Sequence, residues 1–318
     1  MSNEPLVLID ARIPDAPLSP LDEIAEIHRY EGKDDLNDHI DRYGNAIKAI
    51  APLLSTVVDA PLLDRLPNVK LVANYAVGVD NVDLDAAAER EVVVTNTPDV
   101  LTNATADLAW ALILAVARRL PEGEALARSG EWAGWHPRQL LGKELAGATL
   151  AVLGLGRIGT AVARRAIGFR MDVIYFDRSA NPTLETRLML RRFPLESALE
   201  RADVVTIHLP LTEETHHLIG AAEIARMKAD ASLVNTARGE IVDEGALADA
   251  LARDHLMGAG LDVHENEPEV HPRLRESDRV VLLPHLGSAT VKAREAMARL
   301  VAENVAAVLR GESPVTPV

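Results

Sequence analysis

The 318-residue sequence contains no cysteine. That excludes a disulfide framework, a thiol nucleophile and a thiolate-bound zinc site, and it fits a reducing compartment. Long apolar runs are missing too: the longest, 109–117, is too short to cross a bilayer. No basic segment precedes the apolar residues of the N-terminus, so it does not read as a signal peptide, and the expectation is a cytoplasmic protein with no membrane partner. Positive charge is in deficit, with 33 Lys and Arg against 48 Asp and Glu and a formal charge of -15. A protein that grips a nucleic-acid backbone needs the opposite sign, so nucleic acid is not an expected partner. A small phosphate-bearing ligand remains open, because backbone N–H groups and one or two arginines suffice to hold it. No internal repeat and no low-complexity tract interrupts the chain.

What the chain has is alternation. Short β-branched runs at 6–9, 71–74, 92–95, 149–153, 173–176, 204–208, 232–235, 259–263 and 280–283 are separated by Ala-rich helical stretches such as 159–167, 244–253 and 292–309. Several runs are apolar on both faces, as strands inside a parallel sheet are. The repeated strand–helix–strand spacing predicts doubly wound α/β architecture. A helix is predicted over 104–120, where Leu108, Leu112, Val116 and Leu120 recur at helical spacing behind a Thr102 or Asn103 cap. The polar segment 121–144 has no strand pattern and reads as an excursion from the domain body. Its Trp132 and Trp135 are either a partner surface or folded back on their own domain.

The run 149–159 ends in G-x-G-x-x-G at Gly154, Gly156 and Gly159, with Leu155, Arg157 and Ile158 between the glycines. Gly is common, so the motif alone is weak. Its setting is stronger: an apolar strand precedes it, a helix follows, and a second strand ends in Asp177. Gly154 permits the tight turn, Gly156 lets the backbone approach a pyrophosphate, and Gly159 allows close helix-to-strand packing. The N–H groups around Arg157 and Ile158 stand at a helix N-terminus, where a pyrophosphate binds. A carboxylate at Asp177 accepts hydrogen bonds from ribose hydroxyls and repels a 2′-phosphate, which favours NAD(H). Arg178 and Ser179 follow directly and can instead grip a 2′-phosphate, so NADP(H) stays open.

Three segments downstream each follow a predicted strand, where α/β sheets place their ligands. They carry Thr236, Ala237 and Arg238; Asp262, His264 and Glu267; and His285 and Gly287. With the segment 75–80 they resemble the D-2-hydroxyacid dehydrogenase family over nearly the whole chain. The stretch 95–109, together with Gly134, Trp135, His136 and Pro137, is most similar to the glyoxylate/hydroxypyruvate reductase branch.

The resemblance implies a Rossmann cofactor domain, 100–286, inserted into a flavodoxin-like substrate domain of 1–99 plus 287–318. It also implies a homodimer joined through an arm at about 104–144. The implied reaction moves a hydride between a nicotinamide and a small 2-keto or 2-hydroxy acid, with Arg238, Glu267 and His285 as the catalytic set. The residue types suit it. A keto acid needs a hydride at carbon and a proton at oxygen; His285 would give the proton. Glu267 would hold the other ring nitrogen and favour the charged ring. Arg238 offers a planar fork to the carboxylate.

By the same resemblance, N–H groups near Val77 and Gly78 complete the substrate clamp, and Asp262 accepts from the nicotinamide carboxamide. Thr236, Ala237, Arg238, His285 and Gly287 line the nicotinamide pocket, and Trp135 reaches into the partner's site. His264 departs from the pattern, since the family more often has an aromatic residue there; it either perturbs the neighbouring pair or faces solvent. A metal reading of His264, Glu267 and His271 fits no standard spacing. His216 and His217 read as a solvated loop pair. The leading substrates are glyoxylate and hydroxypyruvate, with 2-keto-gluconate and lactate-type acids as alternatives. A cofactor-sensing, corepressor-like binding protein is the rival from another class.

Overall fold

Each apolar run read from the sequence forms a β-strand, and the repeated crossovers make every strand pair parallel. The computed structural model describes residues 4–318, so the first three residues of the expected 1–99 segment lie outside the described residues. The chain divides into two units. One runs up to Leu101 and resumes over Ser288–Val318; the other is Thr102–Gly287.

The first unit is built on β1 (Leu6–Asp10), β2 (Glu26–Tyr30), β3 (Ile47–Ala51), β4 (Leu71–Ala73) and β5 (Val93–Thr95), in the order β2-β1-β3-β4-β5. That is the flavodoxin-like order. β2 and β3 had no counterpart in the sequence reading. β2 is an edge strand of mixed polarity, and β3 carries Lys48 and two alanines in place of a β-branched run. The helix Val291–Leu309 belongs to this unit. Thr290 caps it by accepting the Ala293 N–H at 3.1 Å, and Ala293, Met297, Val301 and Val305 recur on its buried face.

The second unit carries β6 (Thr149–Leu153), β7 (Asp172–Phe176), β8 (Arg191–Arg192), β9 (Val204–Ile207), β10 (Ser232–Asn235), β11 (Gly258–Leu261) and β12 (Val280–Leu282). Their order is β12-β11-β10-β9-β6-β7-β8. The winding reverses between β6 and β9, the position at which such sheets open a crevice. β8 is too short to register as a strand in sequence.

The helix expected over 104–120 spans Thr102–Ala117 instead, so neither Thr102 nor Asn103 stands ahead of it as a cap. Trp110 anchors it, donating Nε1–H to the Val162 carbonyl at 3.1 Å and stacking on Phe169. Arg119, at φ 52°, breaks the helix, and a second one, Leu120–Ser129, follows. The polar segment 121–144, which has no strand pattern, is helical in its first part: Pro121 has no N–H to lose in a first turn, and Gly130, at φ 77°, ends the helix. Trp132 and Trp135 lie 56% and 83% exposed rather than folded back. Among the described residues no helix is long and apolar enough to cross a membrane.

Candidate active site

Six strands of the second sheet end flush. Phe176, Leu153, Ile207, Asn235, Leu261 and Leu282 form one row across β7, β6, β9, β10, β11 and β12. The next residues are Asp177, Gly154, His208, Thr236, Asp262 and Leu283, with His285 two further on. Register therefore brings Gly154, Asp177, Thr236 and Asp262, and the starts of the loops that carry Arg238, Glu267 and His285, to one edge at the carboxyl ends of parallel strands, where such sheets bind ligands.

The three glycines after β6 differ in what demands them. Gly154 sits at φ +93°, and a methyl there would stand 2.7 Å from the His208 carbonyl oxygen. A methyl at Gly159 would collide with the Gly154 carbonyl. Gly156 has an ordinary φ of -70°, and nothing in the protein lies within 4 Å of its missing side chain. The fold gives no reason for glycine there, whereas close approach of a ligand to the backbone does. The helix Arg157–Ala166 starts at this glycine with no side-chain cap on its first turn, and it is amphipathic enough to bury Ala161, Val162 and Ala166. These features fit a phosphate-bearing dinucleotide. Asp177 braces the loop, its Oδ2 accepting the Leu155 N–H at 2.8 Å. Arg178 and Ser179 are exposed, and Arg192 donates to the Asp177 and Arg178 carbonyls at 2.9 Å.

At the other end of the row the loops are tied together. Asn235 accepts the Ala237 N–H at 3.0 Å and donates to the Arg238 carbonyl at 2.7 Å, which shapes the turn that presents Arg238. Asp262 is fully buried and accepts the N–H groups of Leu286 (2.6 Å) and Gly287 (2.8 Å), while its carbonyl accepts that of His285 (2.8 Å). Burial raises the Asp262 pKa, against the pull of those amides and of His285. The three bonds hold His285 at φ 55°, a strained conformation for a residue with a side chain.

His285 Nδ1 then meets Glu267, 2.9 Å from Oε2 and 3.1 Å from Oε1. Burial pushes Glu267 up, but the hydrogen bond and charge of His285, with the His264 N–H behind, bring its carboxyl below the ordinary range. An imidazole with Nδ1 fixed in this way has Nε2 left for proton transfer.

In the first unit, three successive carbonyls of the loop after β4 are engaged. Thr97 N–H donates to Ala76, Asn96 Nδ2 to Val77, and Asn74 Nδ2 to Gly78, at 2.8 to 2.9 Å. In a trans peptide the N–H points opposite the carbonyl, so the amides of Val77, Gly78 and Val79 face the other side of the loop, suited to an anion.

Sequence reasoning missed several of these residues. Asn74, Asn81, Asn96 and Asn235 satisfy loop carbonyls, and His208 closes β9. His208 ring nitrogens lie 2.9 Å from Thr206 Oγ1 and 3.5 Å from Thr236 Oγ1, and loss of hydration takes its pKa down to about 3, so the ring is neutral. The solvated reading of the pair at 216–217 is also corrected. The correction applies to His217, whose Nε2 is bound to Glu265 Oε1 at 2.7 Å; His216 is exposed, with its ring tilted against that of His217.

Comparison with known proteins adds identity to this geometry. A family model described as "D-isomer specific 2-hydroxyacid dehydrogenase, NAD binding domain" matches residues 110–287. A glyoxylate reductase of Thermococcus onnurineus is 46% identical over 98% of this chain and 95% of its own length. A crystal structure of a Thermus thermophilus protein matches with a TM-score of 0.91 at 45% identity, covering 98% of this chain and 99% of that one. An NADPH-dependent glyoxylate/hydroxypyruvate reductase from Sinorhizobium meliloti, in complex with NADP and malonate, matches with a TM-score of 0.89 at 37% identity, covering 99% of this chain and 97% of that one.

Proposed function

The chain belongs to the D-isomer specific 2-hydroxyacid dehydrogenases, and from that membership we propose that it reduces glyoxylate and hydroxypyruvate with a nicotinamide dinucleotide. The observation that carries the proposal is the Glu267–His285 pair standing on the same sheet edge as a glycine loop whose middle glycine the fold itself does not require. The nicotinamide, when bound, supplies a hydride to the substrate's carbonyl carbon. Every other task falls to the chain.

His285 gives a proton from Nε2 to the carbonyl oxygen, and Glu267 holds the ring and balances its charge. Arg238 binds the substrate carboxylate and polarises the carbonyl. Val77 and Gly78 offer amides suited to a carboxylate, supported by the engaged carbonyls of their loop. Leu155, Arg157 and Ile158 present backbone to the pyrophosphate. Thr236, Ala237, Asp262 and Gly287 line the nicotinamide side; Asp262 also builds the His285 turn.

For cofactor choice, Asp177 favours NADH, while Arg178, Ser179 and the NADPH dependence of the Sinorhizobium relative support use of NADPH. The test is oxidation of NADH and of NADPH against glyoxylate, hydroxypyruvate, 2-keto-gluconate and pyruvate. The first two acids should be reduced fastest. No oxidation of either cofactor with any acid, despite tight cofactor binding, overturns the assignment. Asp177→Ala should weaken both cofactors, since the Leu155 amide loses its acceptor, and NADH more than NADPH. The reverse ranking of dissociation constants would give the choice to Arg178 and Ser179.

The assembly proposed is a homodimer through the arm at about 104–144, supported by the exposure of Trp132, Trp135, Leu120 and Leu141. Trp135 would then narrow the partner's substrate site. Sedimentation equilibrium should give twice the 34.4 kDa chain mass. A monomer at micromolar concentration would remove both statements.

A further inference from the structure

One residue that the proposed chemistry does not touch contacts the loops that carry it. His264 follows β11 and is 5% exposed. Its N–H donates to Glu267 Oε1 at 3.2 Å. Its ring Nε2 lies 3.0 Å from the carbonyl of Leu283, two residues before His285. Its own carbonyl packs so closely on Gly239, the residue after Arg238, that any side chain there would collide with it. On the remaining side, ring Nδ1 faces Glu244 Oε1 at 3.6 Å, an ion-pair distance. Glu244 is 3% exposed and also takes the Glu265 N–H at 3.3 Å.

The protonation of the ring follows from its partners. A carbonyl only accepts, so Nε2 carries hydrogen. A lone pair on Nδ1 would face a carboxylate across 3.6 Å; a proton there turns repulsion into attraction. The facing Glu244 raises the His264 pKa, burial opposes it, and the Leu283 carbonyl and the Glu267 charge add to the rise. The charged groups around the ring are Glu244 from the helix Glu244–Ala252, Glu267 from its own turn and, beyond it, His285 from the turn after β12. Arg238 stands in the adjoining loop after β10. Glu265 is turned to His217.

The geometry points to His264 as a positioning residue: an imidazolium facing Glu244 at ion-pair distance that ties the Leu283 carbonyl and backs Glu267 with its backbone N–H and a positive charge, so that Glu267 stays anionic on His285 as acidity rises. This rests on the reading of Glu267 and His285 given above. As pH falls, reduction is lost when Glu267 takes a proton. Removing a cation behind it makes that proton bind more readily, so the acidic limb moves to higher pH.

The test uses His264→Phe, which keeps a planar ring but no N–H, and Glu244→Gln, which keeps the acceptor for Glu265 without the charge. His217→Gln breaks the neighbouring pair and serves as control. Two quantities are read: the acidic limb of kcat/KM for glyoxylate, and the carboxyl-carbon NMR titration of Glu267 in the unliganded protein. Both should rise by about half a pH unit or more in His264→Phe, by less in Glu244→Gln, where the lost carboxylate offsets part of the lost imidazolium charge, and not at all in the control. Turnover at alkaline pH should stay within about fivefold of the parent in His264→Phe, since the ring's packing is kept. A Glu267 midpoint that stays put in both variants overturns the role of His264, whatever the kinetics. A parent that reduces no keto acid overturns the functional reading instead, and the NMR midpoint still decides this one.

Discussion

Replacing His285 by alanine is expected to lower glyoxylate turnover about a thousandfold, with NADH affinity kept within about threefold of the parent's. The magnitude comes from what the ring is held to do. Glu267 occupies Nδ1 at 2.9 and 3.1 Å, and Asp262 fixes the strained turn, so the only freedom left to the imidazole is to exchange a proton at Nε2. A positioned general acid contributes roughly a hundred- to ten-thousandfold, and water diffusing into a truncated site recovers little of that.

Affinity is spared because the groups assigned to the pyrophosphate and ribose stand on β6 and β7, on the far side of β9, β10 and β11 from β12. Glu267→Gln keeps the shape and loses the charge, so its loss should be smaller. The parent's own pH profile follows from Glu267 being held below the ordinary carboxylate range. The reduction rate should persist through mildly acidic solution and fall only where this lowered carboxyl takes a proton. Turnover within about tenfold of the parent in His285→Ala, or cofactor affinity lost in proportion to rate, would falsify the role.

Why some of this was legible in sequence and some not is a matter of where the constraint lies. The glycine loop could be read because each of its positions is limited by backbone sterics, and Arg238, Glu267 and His285 because the chemistry admits few residue types. His208 was hidden inside its own strand: Val204 to His208 reads as one run, and only the register shows β9 stopping at Ile207 with the others. β2 was hidden because an edge strand need not alternate, and Glu26–Tyr30 buries fully only Tyr30. The four asparagines carry no spacing signal, since what each satisfies is a carbonyl made available by the folded loop. The pairing of His217 with Glu265 joins residues 48 apart and could not be told from two solvated side chains. The helix Leu120–Ser129 gave no signal in the polar segment 121–144, because none of its residues is buried and no apolar face repeats; Pro121 in its first turn follows the left-handed turn at Arg119.

The same distinction, between what the fold demands and what a ligand demands, makes Gly156→Val the sharpest test of the dinucleotide site. Gly156 has φ -70° and ψ -161°, which valine adopts readily, and its missing side chain points into space with no protein atom within 4 Å. The variant should fold normally. Losing glycine at a helix N-cap costs about 1 kcal/mol or less, a fall in Tm of roughly 2–4 °C. Binding is another matter. A pyrophosphate that must touch the backbone at this point would meet two methyl groups, and NADH affinity should drop about a hundredfold or more, equivalent to roughly 3 kcal/mol. Gly159→Ala inverts the pattern. Its methyl collides with the Gly154 carbonyl, so the helix must move off the strand and stability should fall by about 1–3 kcal/mol. Thermal unfolding and NADH fluorescence titration on the two variants separate the cases. If Gly156→Val bound NADH as the parent does, the phosphates would have to lie elsewhere than at the start of the helix Arg157–Ala166, and the assignment of Leu155, Arg157 and Ile158 would go with them.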